Sequence, residues 1–268
     1  MANKIWVGTT GDVNLASNWS PSGVPAAADN VYVPIGSGSM SSNMAALKTA
    51  TLGGALAIVE IQDGYTGTIG SKDAYFQFTC TTFRCGGTGN IWVDLEASAI
   101  SFEIRQTGNL YLKGSALATL VAAGGNVALA NYGGETSTVT TARVVGSSAK
   151  LTLGVGVTVT TAQVVSGTLT SYVGGTTLDL QGGTASVFGS GTWTTVTVDA
   201  GTLKPASTGT ITTMNLNGGL VDALVNGLAR TVTTMNHNGG TLRYDENVLT
   251  ITTYNRKDGP SMISVSDP

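Results

Sequence analysis

The chain has 268 residues, of which 41% are hydrophobic and only 11% are charged, and its net charge is −3. A typical domain carries about 25% charged residues, so the surface must consist largely of uncharged Thr, Ser, Asn and Gly. This balance excludes the basic footprint of a nucleic-acid-binding protein. With only 6 prolines beside 37 glycines, the composition also argues against collagen-like and disordered chains.

The first 35 residues differ from the rest of the chain. They contain Trp6-Val7-Gly8, Asn18-Trp19-Ser20, Gly23-Val24-Pro25 and Asp29-Asn30-Val31. Two tryptophans, three prolines and a closing strand are suited to cover an open end of a β-structure, where bare strands would aggregate. We therefore predict a cap or attachment segment over residues 1–35. No apolar signal region follows Met1, and no apolar run is long enough to span a bilayer, so we expect neither secretion nor a membrane.

A Thr-x-Thr-Thr run followed by alternating apolar and polar residues recurs from about residue 79 to residue 255. The clearest copies begin at Thr138, Thr158, Thr192, Thr210, Thr231 and Thr250. The starts follow one another at a nearly constant spacing, except for one wider gap between Thr158 and Thr192, which a degenerate copy at 176–183 divides. A period near 19 with strand-forming residues predicts one solenoid rather than two globular domains.

The repeat predicts the extent and type of the solenoid. Weaker coils at 47–54, 101–110 and 119–127 extend it, giving about eleven coils over residues 36–258 and a polar tail over 259–268. A left-handed hexapeptide helix would need a six-residue beat, which is absent. Because the coil length varies irregularly around the period, we predict an all-β fold, a right-handed parallel β-helix.

Aligning the copies sorts residues into inward and outward columns, because alternate strand residues point to opposite sides. One apolar column holds Leu178, Val196, Met214, Met235 and Tyr254, and a second holds Val164, Leu180, Val198 and Leu216. The outward polar column holds Arg84, Arg143, Gln163, Asp179, Thr197, Asn215, Asn236 and Asn255. Gly-Gly pairs at 124–125, 182–183, 218–219 and 239–240 predict sharp corners, where glycine permits positive φ.

Acidic residues are candidates for a catalytic or calcium site, since some parallel β-helices are polysaccharide lyases or hydrolases. Asp179 and Asp199 lie on adjacent coils, which places them about 10 Å apart by strand spacing. Asp94 and Glu96 share a strand face, but no loop with calcium-ligand spacing surrounds them. The pair Asp245-Glu246 is typical of an exposed turn. A solvated face explains these acids as well as a site does.

The remaining reactive side chains favour structural roles. Cys80 and Cys85 occupy apolar positions of a coil, which predicts two buried thiols, and a disulfide is left open. His237 falls in the apolar column of Leu216 and has no nucleophile in register. Four tryptophans, Trp6, Trp19, Trp92 and Trp193, are too dispersed for a sugar site and are expected mostly in the cap or core. We predict no catalytic, cofactor-binding or metal-binding residue.

The pattern Trp6-x-Gly8, Asn18-Trp19-Ser20, Gly23-Val24-Pro25 and Asp29-Asn30-Val31, followed by Thr- and Gly-rich coils, resembles the opening of β-helical proteins from tailed-phage virions and large bacterial surface proteins. In the phage group, similar chains serve as head decoration (cement) proteins or as trimeric fibres and spikes. The short length and the missing signal peptide favour a phage part that is assembled in the host cytoplasm.

The resemblance implies a non-enzymatic virion protein, most simply a capsid decoration protein that binds the major capsid protein or other virion proteins. A trimeric receptor- or glycan-binding fibre is the first alternative, with glycan expected along the outward polar column. A polysaccharide lyase or hydrolase built on Asp179 and Asp199 is the second. We further expect a homotrimer, because a weakly charged flank is easily buried.

Overall fold

The computed structural model describes residues 1–41, 55–95, 101–105, 107–257, 259 and 261–264. In this part of the chain nearly all regular structure is β-strand, with short 3-10 turns at Ala16–Asn18 and Val225–Gly227. The predicted coil at 47–54 lies outside the described residues.

Twelve strands occupy the first part of the chain. They are β1 (Asn3–Trp6), β2 (Trp19–Ser20), β3 (Asn30–Val33), β4 (Leu56–Ile61), β5 (Phe76–Phe78), β6 (Cys80–Cys85), β7 (Asn90–Leu95), β8 (Ser101–Ile104), β9 (Asn109–Ala122), β10 (Asn126–Leu129), β11 (Ser137–Val144) and β12 (Lys150–Leu153). The remaining strands are β13 (Val157–Val164), β14 (Thr168–Ser171), β15 (Gly175–Leu180), β16 (Thr184–Val187), β17 (Trp193–Val198), β18 (Thr202–Pro205), β19 (Ile211–Leu216), β20 (Leu220–Asp222), β21 (Arg230–His237), β22 (Thr241–Tyr244), β23 (Leu249–Arg256) and β24 (Ser261–Ser264).

Strands β3 to β24 stack in parallel on two faces, so the chain forms a parallel β-solenoid. The first face contains the Thr-x-Thr-Thr strands and runs β3, β4, β6, β8, β9, β11, β13, β15, β17, β19, β21, β23. The second face runs β5, β7, β9, β10, β12, β14, β16, β18, β20, β22, β24. The long strand β9 contributes its first half to the second face and its second half to the first. The fold class predicted from the repeat is confirmed.

The regular part of the solenoid is somewhat shorter than expected. From Phe83 to Tyr254 the paired positions of the first face advance through about nine coils with a spacing of about 19. Before Phe83 the pairing is wider, since Val31 lies opposite Val59 and Val59 lies opposite Phe83, and both steps exceed the regular period. The prediction of about eleven coils was therefore slightly high, because the N-terminal coils carry longer connections and do not follow the period.

The apolar columns line the interior as the alternation predicts. Leu178, Val196, Met214, Met235 and Tyr254 pair in one register, and Val164, Leu180, Val198 and Leu216 pair in the next. All of these except Tyr254, which is partly buried, are at most 1% exposed. Leucine, valine and methionine suit these positions because burial of their side chains is the main favourable contribution to folding. Stacking coil on coil therefore builds one continuous core.

The corners behave as the glycine pairs predict. The second glycine of each pair has a positive φ; these are Gly125, Gly183, Gly219 and Gly240. The single corner glycines Gly167 and Gly201 also have a positive φ. Each such corner leads directly into a strand of the second face. The corners therefore depend on a backbone conformation that L-residues rarely adopt.

The N-terminal segment packs its two tryptophans over the first coils. Trp6 and Trp19 are buried and meet edge to face, with ring centroids 5.1 Å apart. Their indole N–H groups donate to the Gly38 and Val13 carbonyls, each at 2.8 Å. Strand β1 pairs antiparallel with β2 and parallel with β3, and β3 continues into the first face through β4. Both tryptophans are thus used in packing.

Two further segments have a defined place. The last described strand, β24, lies within the stretch that we set apart as a polar tail, and it pairs in parallel with β22. Cys80 and Cys85 are buried thiols, as the apolar register predicts, and they form no disulfide. Burial raises the pKa of the Cys80 thiol to about 12 and also raises that of Cys85, which makes both poor nucleophiles.

Candidate functional site

The outward column of the first face is confirmed, and it is polar at every paired position except Val121. Strand pairing places the residues of this column side by side on successive coils: Glu60, Arg84, Glu103, Val121, Arg143, Gln163, Asp179, Thr197, Asn215, Asn236 and Asn255. Its N-terminal end alternates in charge, with Arg84 3.6 Å from the Glu60 carboxylate. Such exposed pairs contribute little stability. The row changes from charged to amide side chains along the solenoid.

The C-terminal part of this face carries two amide ladders. In one, the Asn255 side chain donates to Asn236, and Asn236 donates to Asn215, at 2.9 and 2.8 Å. In the other, Asn238 donates to Asn217, and Asn217 donates to Asp199, both at 2.8 Å. An amide has two N–H donors and two acceptor lone pairs. Within the ladder each inner amide uses one donor and one acceptor, so further hydrogen-bonding capacity faces outward.

The candidate acid pair is incorporated into these polar rows. Asp179 accepts hydrogen bonds from Gln163 at 3.1 Å and from Gln181 at 2.8 Å. Asp199 accepts instead from Asn217 and lies two residues beyond Thr197, the strand partner of Asp179. Each carboxylate therefore has amide partners of its own. Glycoside hydrolysis uses two carboxyl groups about 5 to 9.5 Å apart on either side of the bond that is cleaved, and the described contacts show Asp179 and Asp199 only as hydrogen-bond acceptors of these rows.

Of the other candidate acids, Asp94 and Asp245 have described hydrogen-bond partners. Asp94 accepts a hydrogen bond from Gln77 at 3.1 Å and lies 3.5 Å from the Lys113 ammonium group, whereas Glu96 falls outside the described residues. Asp245 begins the predicted turn and accepts a hydrogen bond from the backbone N–H of Asn247 at 2.8 Å. Among the residues that the structure describes, no group of three or more His, Cys, Asp or Glu side chains is arranged to hold a metal ion.

His237 is buried inside the last coils, in the column of Leu216 as predicted. Its Nδ1 lies 2.7 Å from the Tyr254 hydroxyl and its Nε2 lies 3.4 Å from the Gly240 carbonyl oxygen. Because a carbonyl only accepts, we assign the proton to Nε2, and Nδ1 then accepts from Tyr254. Burial lowers the pKa of His237, and the charge of Arg256 lowers it further. The ring is therefore a neutral structural group.

We expect the C-terminal coils to lose stability in mild acid. The pKa of His237 is lower in the folded than in the unfolded chain, so the unfolded chain binds more protons as the pH falls below about 6.5. The His237 contribution is fully present above that pH and is lost as the pH falls through the folded-state pKa. Thermal unfolding at pH 7.5 and pH 5 should show a lower midpoint at pH 5. His237→Leu, which restores the residue type of the column, should reduce the difference, and an unchanged difference would contradict this role.

An aromatic cluster on the outside of the second face was not predicted. Trp92 stacks on Tyr111 of the next coil with centroids 3.8 Å apart, and Tyr75 and Tyr132 approach Trp92 from two loops at 5.5 and 5.7 Å. The Lys113 ammonium group lies 4.4 Å from the centroid of the Tyr75 ring. These ring contacts hold both loops against the second face. The sequence contained one signal for this cluster, because Trp92 and Tyr111 are one full period apart.

The N-terminal segment, residues 1–35, presents most of the strongly exposed large apolar side chains in the part of the chain that the structure describes. Of the eight large hydrophobic residues that are strongly exposed in the described part of the chain, five lie in the first 35 residues: Met1, Ile5, Val7, Leu15 and Ile35. Ile5 precedes the buried Trp6 on β1, and Val7 directly follows the end of the strand, so the two exposed side chains stand on either side of a buried one. Within the described residues, strongly exposed apolar side chains are thus most frequent in this segment, which makes it the first candidate for a contact surface.

Comparisons with known proteins add no family to this description. No protein-family model, no curated protein and no solved structure matches the chain. None of the helices in the described residues is long and apolar enough to cross a membrane.

Proposed function

We propose that the chain is a non-enzymatic structural protein of a phage virion, and that it decorates the capsid through its N-terminal cap. The observation that carries this proposal is the concentration of exposed apolar residues in the cap, with Ile35 67% and Val7 49% exposed. Removal of apolar surface from water is a major favourable contribution to protein–protein association. The partner is the major capsid protein or another virion protein.

The form of the rest of the molecule supports the same role. Stacked coils with a continuous core make a stiff body, and the two candidate catalytic acids accept hydrogen bonds from neighbouring amides of the polar rows. We further propose that three copies associate along their weakly charged flanks. Sedimentation that shows a stable monomer at micromolar concentration would remove the trimer from the proposal without affecting the attachment through the cap.

Replacing Ile35 by Asp should weaken capsid binding about tenfold or more, because a charge would have to be buried in the apolar contact. Ile35 lies in an exposed turn, so the fold should be retained. Val155→Asp is the matched control, since Val155 is 69% exposed but lies in the body of the solenoid. Binding is measured by cosedimentation with capsids of the encoding phage that lack this protein. Equal binding by the two variants would contradict attachment through the cap.

A glycan-binding fibre is the alternative that a specific observation favours. The ends of the amide ladders, with Tyr254, Arg256 and Lys257, line a groove of about 570 Å³ on the outside of the first face. The hydrogen-bonding capacity that the ladder amides retain suits the hydroxyl groups of a sugar chain. Binding to purified host surface glycan without binding to capsids would favour this alternative over decoration.

A further inference from the structure

One corner of the solenoid carries large apolar side chains on its surface. Outside the N-terminal segment, the strongly exposed large hydrophobic residues of the described chain are Val155, Tyr172 and Leu228. All three lie in connections that leave a strand of the second face and lead into a strand of the first: β12 to β13, β14 to β15 and β20 to β21. Single apolar side chains scattered over a surface are normal, but these three share one corner.

Phe188 extends this group to a neighbouring coil. It lies at the same corner between β16 and β17, and its backbone N–H donates to the Ser171 carbonyl at 2.7 Å, directly before Tyr172 on the preceding coil. The rings of Tyr172 and Phe188 stack with centroids 5.5 Å apart and planes inclined by 26°. Val155, Tyr172, Phe188 and Leu228 therefore form an apolar ridge that runs along the solenoid axis.

The connections at this corner carry no charge over five successive coils. None of them contains Asp, Glu, Lys, Arg or His: 154–156, 172–174, 188–192, 206–210 and 223–229. The strand residues that follow form a threonine strip beside the ridge, with exposed Thr158, Thr160, Thr176, Thr194 and Thr212. Elsewhere the outward positions include charges, such as Arg143 and Asp179 on the first face and Lys150 on the second. The ridge thus lies on an uncharged side of the molecule.

We infer that the apolar ridge and the threonine strip are the contact surface between copies of this chain. The inference rests on the trimer proposed above and assigns the surface through which it forms. Copies with parallel axes place Tyr172 level with Tyr172 around the symmetry axis, and the apolar side chains are then removed from water. A hydroxyl group both donates and accepts hydrogen bonds, so the threonine strip is complementary to its own copy, whereas a row of like charges would repel itself.

Sedimentation equilibrium of the full chain tests this surface, with Tyr172→Asp as the variant. Each added carboxylate would face the same charge on the neighbouring copies, so the concentration for half-association should rise about tenfold or more. Ser148→Asp is the matched control, because Ser148 is an exposed turn residue on the corner that leads from the first face to the second. A monomeric unchanged chain, or equal association of the two variants, would overturn the inference.

A second measurement does not depend on the folding of Tyr172→Asp. Ser190 is an exposed turn residue beside Phe188, and Ser148 is its counterpart on the other corner. With a short thiol-specific cross-linker, Ser190→Cys should give covalently joined copies in high yield and Ser148→Cys should give few, since Cys80 and Cys85 are buried. Equal yields from the two variants would contradict contact at this corner.

This inference and the attachment through the cap fail separately. Each copy has its own cap, so Tyr172→Asp should sediment as a monomer and still bind capsids. Ile35→Asp should lose capsid binding and keep the mass of the trimer. An unchanged mass for Tyr172→Asp would remove the ridge as the contact surface, whatever the capsid result. If Tyr172→Asp keeps its mass but loses binding to a glycan, the ridge belongs to a glycan and the inference is wrong.

Discussion

Gly201→Ala is expected to lower the free energy of unfolding by about 3 kcal/mol or more. Gly201 has φ +79°, and a Cβ at this position would lie 2.4 Å from the carbonyl oxygen of Gly183 on the preceding coil. That carbonyl accepts the hydrogen bond from the Thr202 backbone N–H at 2.9 Å. The added methyl group would therefore strain the corner and separate two stacked coils at the same time.

Gly36→Ala is the matched control for this prediction. Gly36 has almost the same φ, +76°, but no atom of the described residues lies within 4 Å of the position of an added Cβ. It should show the conformational penalty alone, about 1 kcal/mol. Urea unfolding followed by circular dichroism compares the two variants. Equal losses would show that close stacking of the corners contributes nothing beyond the φ requirement.

Leu216→Asp is expected to lower the free energy of unfolding by about 4 kcal/mol or more and to unfold the coils around it. Leu216 is fully buried between Val198 and His237 of the neighbouring coils. A carboxylate there would be charged, unpaired and enclosed in apolar side chains. Because each coil is stabilised mainly by its neighbours, the damage should extend to the adjacent coils.

Asn215→Ser tests the same register from the other side of the strand. Asn215 points outward and accepts one hydrogen bond from Asn236 at 2.8 Å. Loss of this hydrogen bond should lower the free energy of unfolding by about 1 kcal/mol or less. Hydrogen exchange with mass spectrometry, resolved by peptide, should show loss of protection near Leu216 in the first variant and almost none in the second. Similar damage in both would mean that the assignment of inward and outward positions is wrong.

The sequence was sufficient to predict the inward and outward columns of the first face. Copies such as residues 210–213 and 231–234 align without gaps, so Met214 falls beside Met235, and alternation then decides which residues are buried. The glycine corners were equally predictable, since few other residues adopt the required φ. Local chemistry and strict periodicity agree at these positions, which is why both predictions are confirmed.

Positions outside the period could not be predicted in the same way. The connections before Phe83 are long and irregular, so they carry no repeat from which to count coils. Tyr75 and Tyr132 join the aromatic cluster from loops, and their packing depends on tertiary contacts that alternation does not describe. The burial of Arg230, by contrast, could be predicted, because Arg230 stands two residues before the inward Val232 and alternation places both on the same side of the strand.

The proposed function implies that a phage encodes this chain, and quantitative mass spectrometry of that phage's purified virions tests the proposal most directly. The measurement compares the copy number of this chain with that of the major capsid protein. Decoration through the cap predicts a number comparable with the capsid protein, whereas a few copies per virion would favour the fibre alternative. Absence of the chain from purified virions would contradict the account.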